Sequence, residues 1–210
     1  MLMLFCIVAS GSVTNFFPTV VQTLGYGKIN SLLLTAPPYV LCVFTAFTNA
    51  WHADRTGERY FHVTGPLYVA MVAFIIAATT TGTAPRYVAM MLMVPGVYTG
   101  YVVALGWISN TMPRPPAKRA AALAAINAVS NTSSIYASYM FPKSDGPRYV
   151  LAMSVCSATA AIAIISATML RFLLVKLNKK LDRGEHVEGA INSGEAVPGE
   201  AAKRGFRFLV

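Results

Sequence analysis

The side chains that could do chemistry in the apolar part of this sequence are polar but uncharged, and the clearest group lies between residues 120 and 140. Asn127, Asn131 and Ser134 recur every three or four residues, which places them with Ser130 and Ser138 on one face of a helix. Amide and hydroxyl groups in this pattern can hydrogen-bond either a polar solute or a neighbouring helix. The sequence leaves both interpretations open.

A second polar stripe lies near the start of the chain. Asn15 and Gln22 share one helical face with Gly11 and Thr19, and Pro18 lies among them. A proline inside a helix frees backbone carbonyls that then need other partners. This stripe is interpreted either as a cavity wall or as a kink whose carbonyls are satisfied by neighbouring helices.

Aromatic and small residues alternate around the helix predicted near residue 100. Gly96 and Gly100 are four residues apart and continue toward Trp107, while Tyr98 and Tyr101 point roughly the opposite way. Glycines at this spacing allow close contact between membrane helices, which would leave the tyrosines to line a cavity. The sequence alone does not decide between the faces, so Tyr98, Tyr101 and Trp107 are all candidate cavity residues.

The charged side chains with a functional pattern form an Asp-Arg-x-Gly-x-Arg motif, in which Asp54 and Arg55 precede Gly57 and Arg59. Acidic and basic groups at a helix end can pair in one conformation and separate in another. We therefore predict a gating motif on the cytoplasmic side. The alternative is an ordinary charged connection.

Covalent catalysis and metal binding are not expected. Lys, Arg, Asp and Glu lie in connections, at segment ends or in the tail, and His52 and His62 lie at predicted membrane ends. The three cysteines are scattered through apolar segments and form neither a disulfide framework nor a zinc-binding pattern. Acid–base catalysis inside a membrane would need ionisable side chains there, so we expect no enzyme, cofactor or metal.

These candidates lie on long apolar elements. The composition is 55% hydrophobic and 12% charged, and a helix needs about 20 apolar residues to cross a bilayer. The sequence predicts an all-α, polytopic membrane bundle (residues 1–176) and a largely disordered cytoplasmic tail (177–210). The predicted spans are about 1–22, 29–51, 62–82, 87–110, 120–140 and 149–174. Gly and Pro interrupt the first and fourth spans, which is typical of transporter binding sites.

The basic residues predict the orientation. Thirteen of the 17 Lys and Arg residues lie in the second and fourth connections or in the tail, when Arg171 and Lys176 at the end of the last span are counted with the tail. The other four lie in the first, third and fifth connections. Short loops rich in Lys and Arg stay in the cytoplasm, so both termini are predicted to be cytoplasmic. This alternation also explains the net charge of +9 without nucleic-acid binding, and the expected partner is the lipid bilayer.

Several of these stretches carry a family resemblance. The Asp54–Arg59 motif resembles the cytoplasmic loop signature of the major facilitator superfamily, as it recurs between helices eight and nine. Further stretches resemble the fungal anion:cation symporter branch, the allantoate permease-like family. They are Phe-Phe-Pro-Thr-Val-Val at 16–21, Leu-Gly-Tyr at 24–26, Trp-Ile-Ser-Asn at 107–110, Lys-Arg-Ala at 118–120, Pro-Arg-Tyr at 147–149 and Gly-Phe-Arg-Phe at 205–208.

The resemblance implies helices seven to twelve of a twelve-helix carrier, whose N-terminal six-helix half has no counterpart here. It implies a secondary transporter of the plasma membrane that moves a small organic anion, vitamin or nitrogen compound by alternating access, often with a proton. The alternatives are a truncated membrane protein without transport, a half-transporter that needs a partner half, and an assembly of two identical copies. The hypothetical solute cavity comprises Asn15, Gln22, Tyr98, Tyr101, Trp107, Asn127, Asn131 and Ser134.

Overall fold

A computed structural model describes residues 1–22, 25, 27–111, 116–142, 145, 148–183, 185 and 208–209. These residues form eight α-helices and one short 3-10 segment, Ser12–Phe16, and no strand occurs among them. The helices are α1 (Leu2–Gly11), α2 (Phe17–Gln22), α3 (Lys28–Thr56), α4 (Tyr60–Thr79), α5 (Thr83–Thr111), α6 (Pro116–Asn131), α7 (Ser133–Met140) and α8 (Val150–Asp182). The predicted all-α class is confirmed.

Four of these helices, α3, α4, α5 and α8, are long and apolar enough to cross a membrane. They coincide with the second, third, fourth and sixth predicted spans. The first predicted span is divided into α1, the 3-10 segment and α2, and the fifth into α6 and α7. The structure therefore shows four candidate spanning helices and two apolar segments that change direction or pitch partway.

The interruptions do not all fall where Gly and Pro predict them. The first span is broken beside Pro18, as expected, but α5 continues through Pro95 and Gly96 without a break. The fifth span is broken instead, at Thr132, whose hydroxyl donates to the Val129 carbonyl at 2.6 Å. Side-chain hydroxyls that bond nearby carbonyls compete with helical hydrogen bonds, and this local chemistry was not visible as a Gly or Pro signal.

Helix α5 lies at the centre of the bundle and packs against α1, α3 and α4. Its contact with α4 is close because Gly96 lies against the α4 backbone. A Cβ built on Gly96 would lie 2.8 Å from the Ala70 nitrogen and 2.9 Å from the Pro66 oxygen. Tertiary contacts of this kind can offset the cost of a proline within a helix, and α5 stays helical across Pro95.

Helix α8 packs against α4 and α1 through small residues. Ala160, Ala163 and Ala167 are fully buried on one of its faces, which allows the close approach typical of membrane helices. The Ser10 and Thr159 hydroxyls lie 3.1 Å apart and join α1 to α8.

Helix α8 is longer than predicted. The predicted span ends near residue 174, whereas the helix continues to Asp182. Leu174 and Leu181 are both buried, and their seven-residue spacing continues the packed face by two turns. Residue 184, residues 186–207 and residue 210 of the predicted disordered tail lie outside the described residues.

One end of the bundle holds the α3–α4 connection, the last turn of α5 and the last turns of α8, and we name it the Gly57 end. Helix α3 ends there because Gly57 adopts the left-handed conformation, at φ 73°, and its N–H donates to the Ala53 carbonyl at 3.0 Å. A glycine is favoured at such a helix terminus because it has no side chain to clash.

Candidate functional site

A cavity of about 190 Å³ lies where the broken first segment meets α5 and α6. Its polar lining comes from four of the predicted residues, Asn15, Tyr98, Tyr101 and Asn131, together with Ser12 and Thr14. No charged side chain is among its described lining residues. The three predicted polar groups, from the first, fourth and fifth spans, are thus brought together in one place.

The 3-10 segment supplies one wall of this cavity. Thr14 Oγ1 donates to the Gly11 carbonyl at 2.8 Å and lies 3.1 Å from the hydroxyl of Tyr98. The change of pitch after Gly11 turns these polar groups away from the regular helix and toward α5. Thr14 was missed in the sequence, although its place in the polar run Gly-Ser-Val-Thr-Asn at 11–15 was a usable signal.

The tyrosines form the second wall. The Tyr98 and Tyr101 rings are nearly perpendicular, with centroids 6.5 Å apart, which is a favourable edge-to-face arrangement. The Tyr101 hydroxyl donates to Asn127 Oδ1 at 3.2 Å. The sequence left open which face of this helix lines a cavity. In the structure, Gly96 and Gly100 contact α4, and Tyr98 and Tyr101 face the cavity.

Helix α6 contributes the amide side chain of Asn131 to the cavity lining. Asn131 Nδ2 donates to the Asn127 carbonyl at 2.8 Å, which leaves its side-chain oxygen directed away from that bond. Ser130 is instead buried and donates to the Ile126 carbonyl. The predicted polar stripe of this helix therefore divides. Asn131 lines the cavity, Asn127 accepts the hydrogen bond from Tyr101, and Ser130 packs within the bundle.

Four predicted cavity residues are not among the described lining residues of this cavity. One of them, Asn127, contacts the lining through the hydroxyl of Tyr101. Gln22 is exposed at the end of α2, and the side chain of Ser134 lies outside the described residues. Trp107 is fully buried near the Gly57 end, where its Nε1–H donates to the Leu209 carbonyl at 2.9 Å. A role in solute binding stays a prediction for these four residues, as it does for the four that line the cavity.

A larger cavity of about 650 Å³ lies between α3, α4 and α5. Its lining is mainly apolar and includes Leu41, Trp51 and Leu92. The hydroxyls of Thr45 and Thr48 in its wall already donate to helix carbonyls, at 3.0 and 2.8 Å. Few polar groups remain there to orient a solute, so the smaller cavity is the better candidate.

The charged motif is ordered at the Gly57 end. Arg59 pairs with Asp54, and the Arg59 side chain is 10% exposed whereas that of Asp54 is 68% exposed. Arg55 does not join this pair but lies over the Trp51 ring, 5.5 Å from its centroid. The ion pair thus links the end of α3 to the start of α4 across Gly57.

Two further contacts hold the same connection. Asn49 Nδ2 donates to the His62 carbonyl at 2.9 Å, and the His52 and His62 rings approach to 2.7 Å between Nδ1 and Nε2. Within the part of the chain that the structure describes, no three His, Cys, Asp or Glu side chains are grouped as metal ligands would be. The contact between the two histidine rings links α3 to α4.

Comparisons with known proteins point to one family. The chain is 30% identical over 161 residues to the MFS-type transporter efuF of Hormonema carpetanum, covering 75% of this chain and 32% of the relative. It is 28% identical over 182 residues to an uncharacterized transporter of Schizosaccharomyces pombe (85% and 36%). It is 23% identical over 185 residues to the high-affinity nicotinic acid transporter of Saccharomyces cerevisiae (88% and 34%).

The chain spans about a third of the length of these curated relatives. No family model matches it, and no solved structure matches it either. The matched relatives nevertheless cover most of this chain, and several of them are named as MFS-type or major facilitator-type transporters. Four of the described helices are long and apolar enough to cross a membrane, as a multi-pass membrane protein requires. The chain belongs to the major facilitator superfamily.

Proposed function

We propose that the chain forms one helical half of a secondary transporter for a small organic solute, which moves the solute by alternating access. The observation that carries this proposal is the convergence of Thr14, Tyr98, Tyr101 and Asn131 around a cavity at a break in the first apolar segment. Broken helices at a polar cavity are a recurrent feature of transporter binding sites, because the break leaves backbone and side-chain groups to contact the solute.

The cavity would be this half's share of the solute site. Its volume of about 190 Å³ is below the ~300–1,000 Å³ of pockets that enclose drug-sized ligands. The rest of the site would come from a second helical bundle, the N-terminal half that the family resemblance implies. An apolar surface is present for such a partner, since only 11% of the residues in an apolar 18-residue stretch of α3 are buried.

The proposed substrates are organic anions, vitamins or nitrogen compounds, as in the anion:cation symporter branch. Hydroxyl and amide groups beside aromatic edges suit a planar solute with polar substituents. The name of the nicotinic acid transporter among the relatives agrees with that class. Because the described lining is uncharged, the group that neutralises a solute carboxylate and any proton-coupling carboxylate would belong to the second bundle.

The membrane arrangement is proposed from the same features. The α1–α2 and α6–α7 segments would each cross as one interrupted span, which gives six spans with α3, α4, α5 and α8. The Gly57 end would face the cytoplasm of a plasma-membrane protein, following the distribution of Lys and Arg. The Asp54–Arg59 pair would then stabilise one state of the transport cycle and separate in the other.

The test is uptake in proteoliposomes. The chain would be reconstituted alone and together with the part of the Hormonema relative that lies outside the matched region. Both samples would be assayed with radiolabelled nicotinic acid and other small organic acids. We expect uptake that needs both parts and that is reduced by Tyr101→Phe and Asn127→Ala. Absence of uptake from the combined sample, with both parts folded and inserted, would instead favour a non-transporting membrane protein.

A further inference from the structure

The two described residues nearest the end of the sequence, Phe208 and Leu209, lie against the Gly57 end of the bundle. The Phe208 N–H donates to Asn178 Oδ1 at 2.9 Å, and Asn178 Nδ2 donates to the Phe208 carbonyl at 2.9 Å. One asparagine side chain therefore pairs with both backbone groups of one residue, as a neighbouring strand would. Such a pair fixes the backbone of Phe208 along α8.

Leu209 adds two more elements to this contact. Its carbonyl accepts the hydrogen bond from Trp107 Nε1 on α5, and its side chain lies 3.9 Å from a Cβ built on Gly57. Trp107 is fully buried, and a buried indole N–H needs an acceptor. The segment thus satisfies a polar group of α5 while it packs over the α3–α4 connection.

The burial of Phe208, which is 5% exposed, shows that its side chain is part of the packed bundle. The sequence itself predicts a different place for this segment, because Phe206, Phe208 and Leu209 among basic side chains could lie on the membrane surface. The backbone pairing with Asn178 explains the difference, because amide complementarity at a helix side is not visible in hydropathy.

We propose that Asn178, Trp107 and Gly57 form an intramolecular binding site for the Phe208–Leu209 segment, which acts as a latch on the Gly57 end. The latch contacts α5, α8 and the α3–α4 connection at once. When it is bound, α5 and α8 cannot separate without breaking its hydrogen bonds, and the α3–α4 connection cannot move away without losing its packing against Leu209. When it is released, the Gly57 end can open.

The latch and the gating motif share one connection. Gly57 lies three residues after Asp54 and two before Arg59, so the packing of Leu209 on Gly57 and the ion pair hold the same backbone. The latch therefore favours the conformation in which Asp54 and Arg59 are paired. This inference goes beyond the proposed function and does not depend on which solute is carried.

Hydrogen–deuterium exchange with mass spectrometry on the chain in nanodiscs tests the latch. Asn178→Ala should speed exchange at the Phe208 amide about 10-fold, as expected for the loss of one hydrogen bond to a backbone amide. It should also speed exchange at the Gly57 amide, which is remote in sequence. The matched control, Lys179→Ala, changes the exposed neighbour of Asn178 and should leave both rates unchanged.

A second variant distinguishes a latch from a local contact. Trp107→Phe removes the donor to Leu209 while keeping an aromatic ring, and it should also speed exchange at Phe208 and Gly57. In the double variant the two effects should be less than additive, because the segment leaves as a unit. Exchange at Gly57 that stays slow in both folded single variants would overturn the proposal.

Fluorescence provides an independent measurement if exchange in one variant is limited by unfolding. The chain has two tryptophans, so Trp51→Phe leaves Trp107 as the reporter. Shortening this chain to residue 205 should increase acrylamide quenching of Trp107 by about 2-fold or more, because the indole N–H then meets water. Unchanged quenching, with an unchanged helical circular dichroism spectrum, would show that the latch does not cover Trp107.

Discussion

Gly96 of α5 lies against Ala70 of α4 so closely that a Cβ on the glycine would come within 2.8 Å of the Ala70 backbone nitrogen. Backbone atoms cannot move aside as a flexible side chain can. This contact fixes the rotation of α5, and with it the direction of the tyrosines that face the cavity. A packing feature on one side of the helix thus positions the polar groups on the other side.

Gly96→Ala is expected to destabilise the bundle, because the added methyl group must push α4 and α5 apart. Overpacking of this kind costs about 1–3 kcal/mol. The measurement is the free energy of unfolding of the purified chain in mixed micelles during titration with SDS. The variant should also weaken solute binding, since the tyrosines turn with the helix.

Gly106→Ala is the matched control for that substitution. It lies on the same helix, but a Cβ there would have no neighbour within 4 Å. Alanine has the higher helix propensity, by up to about 1 kcal/mol, so Gly106→Ala should be neutral or slightly stabilising. Equal losses of stability in both variants would show that the close α4–α5 contact is not the cause.

Asp54→Ala should destabilise the chain more than Arg59→Leu, even though the two changes break the same ion pair. The Arg59 side chain is 10% exposed and that of Asp54 is 68% exposed. Removal of Asp54 leaves a mostly buried guanidinium without its partner, at a cost of about 1–2 kcal/mol. Removal of Arg59 leaves a carboxylate that water can solvate, at a cost below about 1 kcal/mol.

The order of these two effects can be checked by thermal unfolding followed by circular dichroism. Glu58→Ala is the control, since Glu58 is an exposed acidic residue in the same connection. Its effect should be close to zero. An Arg59→Leu variant less stable than Asp54→Ala would contradict the burial assigned to the pair.

Arg171→Leu should loosen the contact between α8 and the start of α4. The Arg171 guanidinium lies 4.6 Å from the centroid of the Tyr60 ring and 4.9 Å from that of Phe61. A cation over aromatic faces contributes about 0.5–2 kcal/mol. The expected loss of unfolding free energy lies in that range, whereas Lys176→Leu, at an exposed lysine of the same helix, should change it little.

The long helices were predictable because apolar runs bounded by charged residues carry a strong signal. The second, third, fourth and sixth predicted spans match α3, α4, α5 and α8 to within a few residues at most ends. The exception is the end of α8. Its last turns mix lysines with Leu177 and Leu181, and the packed leucine face is hidden in a hydropathy average by the charges beside it.

The residues that meet at the candidate cavity could be predicted in part, but the hydrogen-bond partners of the remaining candidates could not. Tyr98, Tyr101, Asn15 and Asn131 do meet at one cavity, as their separate helical faces suggest. The hydrogen bond of the Trp107 indole could not be predicted, because its acceptor is a backbone carbonyl 102 residues away in the sequence. Backbone acceptors leave no mark in a sequence.

Asn131→Ala and Tyr101→Phe are expected to weaken solute binding without unfolding the chain. Each removes a neutral hydrogen-bonding group from the cavity region, and each such group contributes about 0.5–1.5 kcal/mol, or roughly 2- to 12-fold in affinity. The measurement is the concentration of nicotinic acid that half-saturates uptake by the combined sample described above. Asn110→Ala is the matched control, because Asn110 is an exposed asparagine of α5 outside the cavity lining. If the amides serve only in packing between helices, the substitutions would lower thermal stability and leave the half-saturating concentration unchanged. The two measurements together therefore separate solute binding from interhelical hydrogen bonding.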